Sequence, residues 1–181
     1  MTAEEALEKL KEGNQRFMET DCPAGDLTRK ARNLALHGQH PYAVIVSCSD
    51  SRVIPEAVFS AGIGELFVIR VAGSVIDAHQ LGSIEYAVDH LGAALVVVLG
   101  HTRCGAVDAA IRRQQDGFIG SLVASILPAI GEETDDYRAG CRNARYGAEQ
   151  IRRALQAEAK HPDLQVSGAM YHLDTGCVDF L

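Results

Sequence analysis

The chain has 181 residues, 47% of them apolar and 23% charged, which suits one compact domain that buries the larger part of its unfolded surface. A net charge of -7 with no clustered basic footprint excludes a nucleic-acid-binding surface, and no polar or low-complexity tract points to disorder. The longest purely apolar run, 93–99, falls far short of the roughly 20 residues of a membrane helix.

Thr2 with Glu5 three residues on reads as a capping box, and Ala6, Leu7, Leu10, Phe17 and Met18 then share a helical face, so residues 3–19 are predicted as an amphipathic helix. Glu4, Glu5, Glu8, Lys9, Lys11 and Glu12 interrupt that stretch, unlike the apolar core of a signal peptide, and a cytoplasmic protein is expected. Residues 21–41 read as connection with a short helical stretch over 30–36. The runs 42–48, 66–71 and 94–99 are short, apolar and β-rich, as buried parallel strands are, and a helical pattern over 82–90 supplies a crossover. Further helices are predicted over 107–115 and 137–160, the latter with Ile151, Leu155 and Ala159 on an apolar stripe. Residues 166–173 and 177–181, around Asp174-Thr175-Gly176, suggest a terminal β-hairpin. No linker divides the chain. The expected fold is one α/β domain over 1–181, with a mainly parallel sheet flanked by helices.

Two motifs close predicted strands. Cys48-Ser49-Asp50-Ser51-Arg52 follows the first, and in extended chain Cys48, Asp50 and Arg52 would share a face. Gly100-His101-Thr102-Arg103-Cys104-Gly105 follows the third and opens a helix, where His101 and Cys104, three apart, would lie on one side. The carboxyl ends of parallel strands are where open α/β sheets place their ligand crevices. Two thiolates and an imidazole suit zinc, and three protein ligands leave a fourth position for water, as in catalytic sites. Asp50 is a fourth candidate that would close the site; an ion pair with Arg52 would hold it away, so the pair implies an off state. Five cysteines cannot all pair internally, and a cytosolic setting favours metal use for two of them. Cys22, Cys141 and Cys177 have no ligand partner nearby and read as structural or incidental thiols.

The ordered Cys-x-Asp-x-Arg and His-x-x-Cys elements resemble those of the β-class carbonic anhydrases. The resemblance covers nearly the whole chain, including Gly38-Gln39-His40-Pro41, Pro55, Gly64-Glu65-Leu66-Phe67, 82–88 and 171–176. It implies Cys48, His101 and Cys104 as ligands of one zinc ion per subunit, Asp50 as ligand only in a closed state, and Asp50 with Arg52 as the catalytic dyad orienting a zinc-bound hydroxide for attack on carbon dioxide. It also implies Gln39 as a hydrogen-bond donor to substrate, Phe67 and Tyr86 as apolar pocket wall, the Gly105 N–H as a contact for bicarbonate, and His90 in proton transfer. Taken alone, Phe67 on a buried strand is ordinary core and His90 near a helix end is ordinary solvated surface.

The family segment Arg-Asn-x-x-Asn is altered here, because Arg70 is followed by Val71, Ala72, Gly73 and Ser74, and two amides are missing. The resemblance further implies a homodimer embraced by the N-terminal helical arm, 3–19, assembled in some cases into a tetramer of dimers. Hydrolysis of carbonyl sulfide or carbon disulfide at the same site, and a non-catalytic zinc-binding domain, are the alternatives. Because two thiolates cancel the ion's formal charge, an alkaline optimum for hydration is expected.

Overall fold

The computed structural model describes residues 1–21, 25–156 and 161–181. Helix α1, Ala3–Glu19, begins at the predicted capping box: the Thr2 hydroxyl accepts from the Glu5 N–H, and the Glu5 carboxylate accepts from the Thr2 N–H. A short α2, Arg29–Ala35, leads into β1, Ala43–Ser47; then come α3, Pro55–Val58, and β2, Leu66–Arg70. A 3₁₀ turn, Ala72–Ser74, precedes α4, Ala78–Leu91, β3, Leu95–His101, and α5, Gly105–Ile111. Last are α6, Ile119–Ile130, α7, Asp136–Gln156, β4, Gln165–Tyr171, and β5, Val178–Phe180.

The sheet runs β2-β1-β3-β4-β5, its first four strands parallel and β5 antiparallel to β4. Chain order reverses beside β1, which leads to β2 on one side while β2 returns past it to β3 on the other. Such a reversal leaves a crevice beyond the carboxyl ends of β1 and β3. Every residue of β1 is buried, as an internal parallel strand covered on both faces must be. One face packs Ile45 and Val97 against Ala6 and Leu10 of α1 and Phe59; the other packs Val44, Val46, Val96 and Val98 against Ile84 of α4 and Ile151 of α7. A third cluster, built on α5 and α6 with Val107, Val123 and Ile126, contains Cys48 and Cys104.

The three predicted strands, the terminal hairpin and the N-terminal helix are all present. Helix α4 starts four residues before the predicted 82, because Asp77 and Gln80 form a second capping box. Helix α5 is displaced from the predicted 107–115 to Gly105–Ile111, and Arg113 beyond it has φ 53, which no continuing helix allows. The last predicted helix is observed as Asp136–Gln156; residues 157–160 lie outside the described residues. Helix α6 has no counterpart among the predicted elements. Its apolar spacing of Ile119, Leu122, Val123, Ile126 and Ile130 is helical, but Gly120 and the internal Pro128 mask it.

Candidate metal centre

Cys48 lies one residue beyond β1, His101 ends β3, and Cys104 caps α5, which brings all three to the crevice at the strand reversal. Their Sγ, ring nitrogen and Sγ atoms lie within 4.8 Å of one another, and all three residues are buried. His101 Nδ1 pairs with the Thr102 carbonyl at 2.9 Å, which fixes the proton there and turns the Nε2 lone pair inward. That Nε2 is fully buried and has no hydrogen-bond partner. A buried nitrogen lone pair facing two sulfurs is a costly arrangement without a cation, and S, N, S donors suit zinc. The residues therefore fit that ion.

Burial alone would push both thiols up and the imidazole down. Instead, the Cys104 thiol and the Gly73 N–H stabilise a thiolate at Cys48 and draw it well below the ordinary thiol range. Cys104 is driven up, first by the proton it shares with Cys48 and then by burial. Burial lowers His101, but Cys48 outweighs it and leaves the imidazole raised.

Two local expectations are corrected by the turns. Residues 51–52 leave extended geometry: the Arg52 N–H donates to Asp50 Oδ1 at 2.9 Å and the Val53 N–H to the Asp50 carbonyl at 3.0 Å. The dyad thus forms by folding back, not by sharing a strand face. Similarly, His101 and Cys104 meet across a turn with Arg103 at φ 57, because His101 still belongs to β3 when Cys104 caps the helix.

The guanidinium of Arg52 takes both Asp50 oxygens, Nε to Oδ1 at 2.9 Å and Nη2 to Oδ2 at 2.7 Å, and Nη2 also donates to the Arg103 carbonyl at 3.2 Å. This pairing holds the Asp50 carboxyl well below the usual carboxylate range. The Arg103 peptide is gripped at its other side by Asp136 Oδ2, which accepts its N–H at 2.7 Å. The turn between His101 and Cys104 is also tied to the terminal hairpin: the Thr102 N–H donates to the Tyr171 carbonyl, and Thr102 Oγ1 accepts from the Leu173 N–H.

Three residues of this surround carried no assigned role in the sequence reading. Arg70 donates to the Cys48 carbonyl at 3.1 Å and the Asp50 carbonyl at 2.6 Å, bracing the first ligand segment. Its position at the end of a predicted strand beside another strand end was the available signal. Asp136 and Asn143 contact backbone far away in sequence, and no local pattern marks them.

Of the remaining expected site residues, Gly105 alone adjoins the cluster within one chain, and Gln39, Phe67, Tyr86 and His90 do not converge on Cys48. Gly105 follows Cys104 directly and opens α5. Gln39 is exposed beside Gly62–Glu65, at the end of the sheet where Tyr42 bonds Glu65, opposite to the metal centre. Phe67 is paired in register with Val44, about 13 Å of strand from Cys48. Phe67 packs on Tyr86 with ring centroids 6.3 Å apart, and Tyr86 packs on His90 at 5.3 Å, so these three form a chain of rings over α4. Cys141 is buried and Cys177 half-buried, both free; Cys22 lies outside the described residues.

A family model described as carbonic anhydrase matches residues 43–178. The chain is 45% identical over 132 residues to carbonic anhydrase 2 of Mycobacterium tuberculosis, a match covering 69% of this chain and 63% of the relative's length. It is 37% identical over 189 residues to a carbonic anhydrase of Mycolicibacterium smegmatis, covering 96% of this chain and 91% of that one. Among solved structures, the β-carbonic anhydrase CafA of Aspergillus fumigatus superposes with a TM-score of 0.70 at 28% identity, over 84% of this chain and 80% of the other.

Proposed function

The chain belongs to the carbonic anhydrase family, and on that premise we propose that it catalyses the reversible hydration of carbon dioxide to bicarbonate and a proton. The observation that carries this reading is the buried S, N, S donor set beside a carboxylate already claimed by an arginine. Cys48, His101 and Cys104 would hold the zinc. When bound, that ion supplies the Lewis acidity that brings a water's pKa toward neutrality.

The protein's own part follows from the geometry. Asp50 is acceptor-only while ionised, so its carboxylate would accept a hydrogen bond from the attacking oxygen and orient it toward carbon. Arg52 keeps that carboxylate ionised and turned aside, because both its oxygens are engaged by the guanidinium fork. The Gly105 N–H, at the start of α5, is proposed to receive a bicarbonate oxygen. His90 is proposed as an exit for the proton.

Gln39, Phe67 and Tyr86 lie away from this chain's own metal centre. A homodimer, in which a second copy supplies them, is the proposed assembly, with a tetramer of dimers as its extension. Two features support it. Strand β2 is an edge strand with all five residues incompletely buried, and α2 buries no residue while leaving Leu34 and the adjoining Leu36 exposed. Helix α1, by contrast, buries Ala3, Ala6 and Leu10 against its own chain, so an embrace of the partner would use its outer face. No helix of the described residues is long and apolar enough to cross a membrane. A cytoplasmic setting is proposed, where thiolate ligands escape oxidation to disulfide.

The test is stopped-flow proton release on mixing zinc-loaded protein with carbon dioxide, against the zinc-stripped protein. Fast zinc-dependent hydration is expected. Stoichiometric zinc with no hydration, or with turnover only of carbonyl sulfide or carbon disulfide, would overturn the reading.

A further inference from the structure

We propose that Asn143, on α7, is a positioning residue for the metal centre, holding Gly73 so that the Gly73 N–H is delivered to Cys48 Sγ. The inference rests on Cys48 being a metal ligand and concerns what sets that ligand's electron density. Asn143 Nδ2 donates to the Gly73 carbonyl at 2.8 Å, and the Gly73 N–H donates to Cys48 Sγ at 3.3 Å. Asn143 is 8% exposed on a helix whose neighbouring Ala139 and Ala144 are buried core residues. A buried primary amide is costly unless bonded, so its presence among alanines calls for a polar task.

Gly73 needs such a support. It sits at φ 71, ψ 9 in the middle of the 3₁₀ turn, and a Cβ there would lie 2.8 Å from Ile126 Cδ1 and 3.0 Å from the Ala106 Cβ. The positive φ and the close Ala106 Cβ favour glycine there, and glycine has no side chain to restrain its own torsions. The turn is anchored before it by the Val71 N–H to the Ser47 carbonyl at 3.0 Å, and after it by Ser74 Oγ to the Leu99 carbonyl at 3.1 Å. With the carbonyl of Gly73 also fixed by Asn143, the N–H between these anchors is directed at the sulfur.

An N–H bond to a thiolate withdraws charge from sulfur, and partners of this kind are worth about 10–100-fold in metal affinity or activity when lost. Asn143 acts one residue further out, so about a tenfold faster loss of zinc to a chelator is expected for Asn143→Ser. The same variant loaded with cobalt(II) should show its thiolate-to-metal charge-transfer band moved to longer wavelength, since an electron-richer sulfur gives up charge more easily. Ile151→Val, a core change on the same helix remote from the site, should leave the band in place although it lowers stability.

Identical bands and zinc retention in Asn143→Ser and the unmodified protein would overturn the proposal while leaving the metal centre intact. Absence of any thiolate band in the unmodified protein would instead overturn the metal centre. Should Asn143→Ser fail to fold, the Gly73 amide of the cadmium-113-loaded, nitrogen-15-labelled protein decides: coupling of its proton to cadmium through sulfur is expected, and its absence overturns the proposal.

Discussion

Asp50 Oδ2 stands 3.9 Å from His101 Nε2 and 2.7 Å from Arg52 Nη2, so one carboxylate oxygen lies between the candidate ligand His101 and the guanidinium that engages it. The Asp50 side chain is 17% exposed and Arg52 52%, which puts the switchable partner on the solvent side.

Removing that partner should close the site. Arg52→Ala is expected to lose hydration by about 10²-fold or more, because the carboxylate loses both fork contacts and can join the ligand set. Zinc content by atomic absorption should stay at one per chain. Arg52→Lys should not restore activity, since an ammonium cannot occupy both oxygens in the same plane. Full activity in Arg52→Ala would refute the dyad.

Cys48→Ser and Cys104→Ser should behave in the opposite manner. A hydroxyl replaces a thiolate poorly on zinc, so these variants should emerge with well under one zinc per chain and no measurable hydration. Metal analysis alone then separates the two classes of mutant, and a zinc-replete Cys104→Ser would remove Cys104 from the ligand set.

Arg70→Ala deletes two bonds, to the Cys48 and Asp50 carbonyls, that hold the first ligand segment at the end of β1. Arg70 is exposed, so water can replace part of what is lost, and a cost of about 1–3 kcal/mol is expected in urea unfolding of the zinc-loaded protein. Activity should fall together with zinc retention. Unchanged stability and zinc retention would show that this segment holds its shape without Arg70.

Asp179 offers a pH test away from the metal. The His172 ring nitrogen lies 2.8 Å from Asp179 Oδ2 and the Tyr137 hydroxyl donates to the same oxygen at 2.9 Å, and they hold the Asp179 carboxyl below its usual range, His172 first. A depressed carboxyl stabilises the fold above its unfolded pKa of about 4, and that gain disappears as pH falls through the lower folded value. Asp179 is 47% exposed, so solvent screening limits the effect to under about 1 kcal/mol. The gap in urea midpoint between the unmodified protein and Asp179→Asn should therefore shrink as pH falls below about 4. A gap that widens below pH about 4 would reverse the assignment.

Hydration itself should rise between pH about 7 and about 8.5, because two thiolate charges offset the ion and leave it less able to acidify water than a site with neutral imidazole ligands. Stopped-flow rates at both values check this; a profile flat from pH 6 to 9 would contradict it.

What the sequence determined by itself was local or nearly so. Buried strands announce themselves as short apolar runs, which is why β1, β2 and β3 were legible, and the Thr2/Glu5 box marked the start of α1. The grouping of Cys48, His101 and Cys104 was legible because sulfur and imidazole at parallel strand ends have few other uses in that combination. Helix α6 was not, since Gly120 and Pro128 lower helix propensity although packing on α5 overrides it.

Tertiary structure alone decided how the candidate ligands are held. The reach of Arg70 across 22 residues to Cys48 and that of Asn143 across 70 to Gly73 depend on which backbone groups the sheet order brings together. It also separated Gln39 and Phe67 from the metal centre, a distance no motif records. The physical reason is one of range. Propensity and periodicity act over a few residues, whereas the hydrogen bonds that orient a buried donor set join segments whose proximity exists only once the strands have paired.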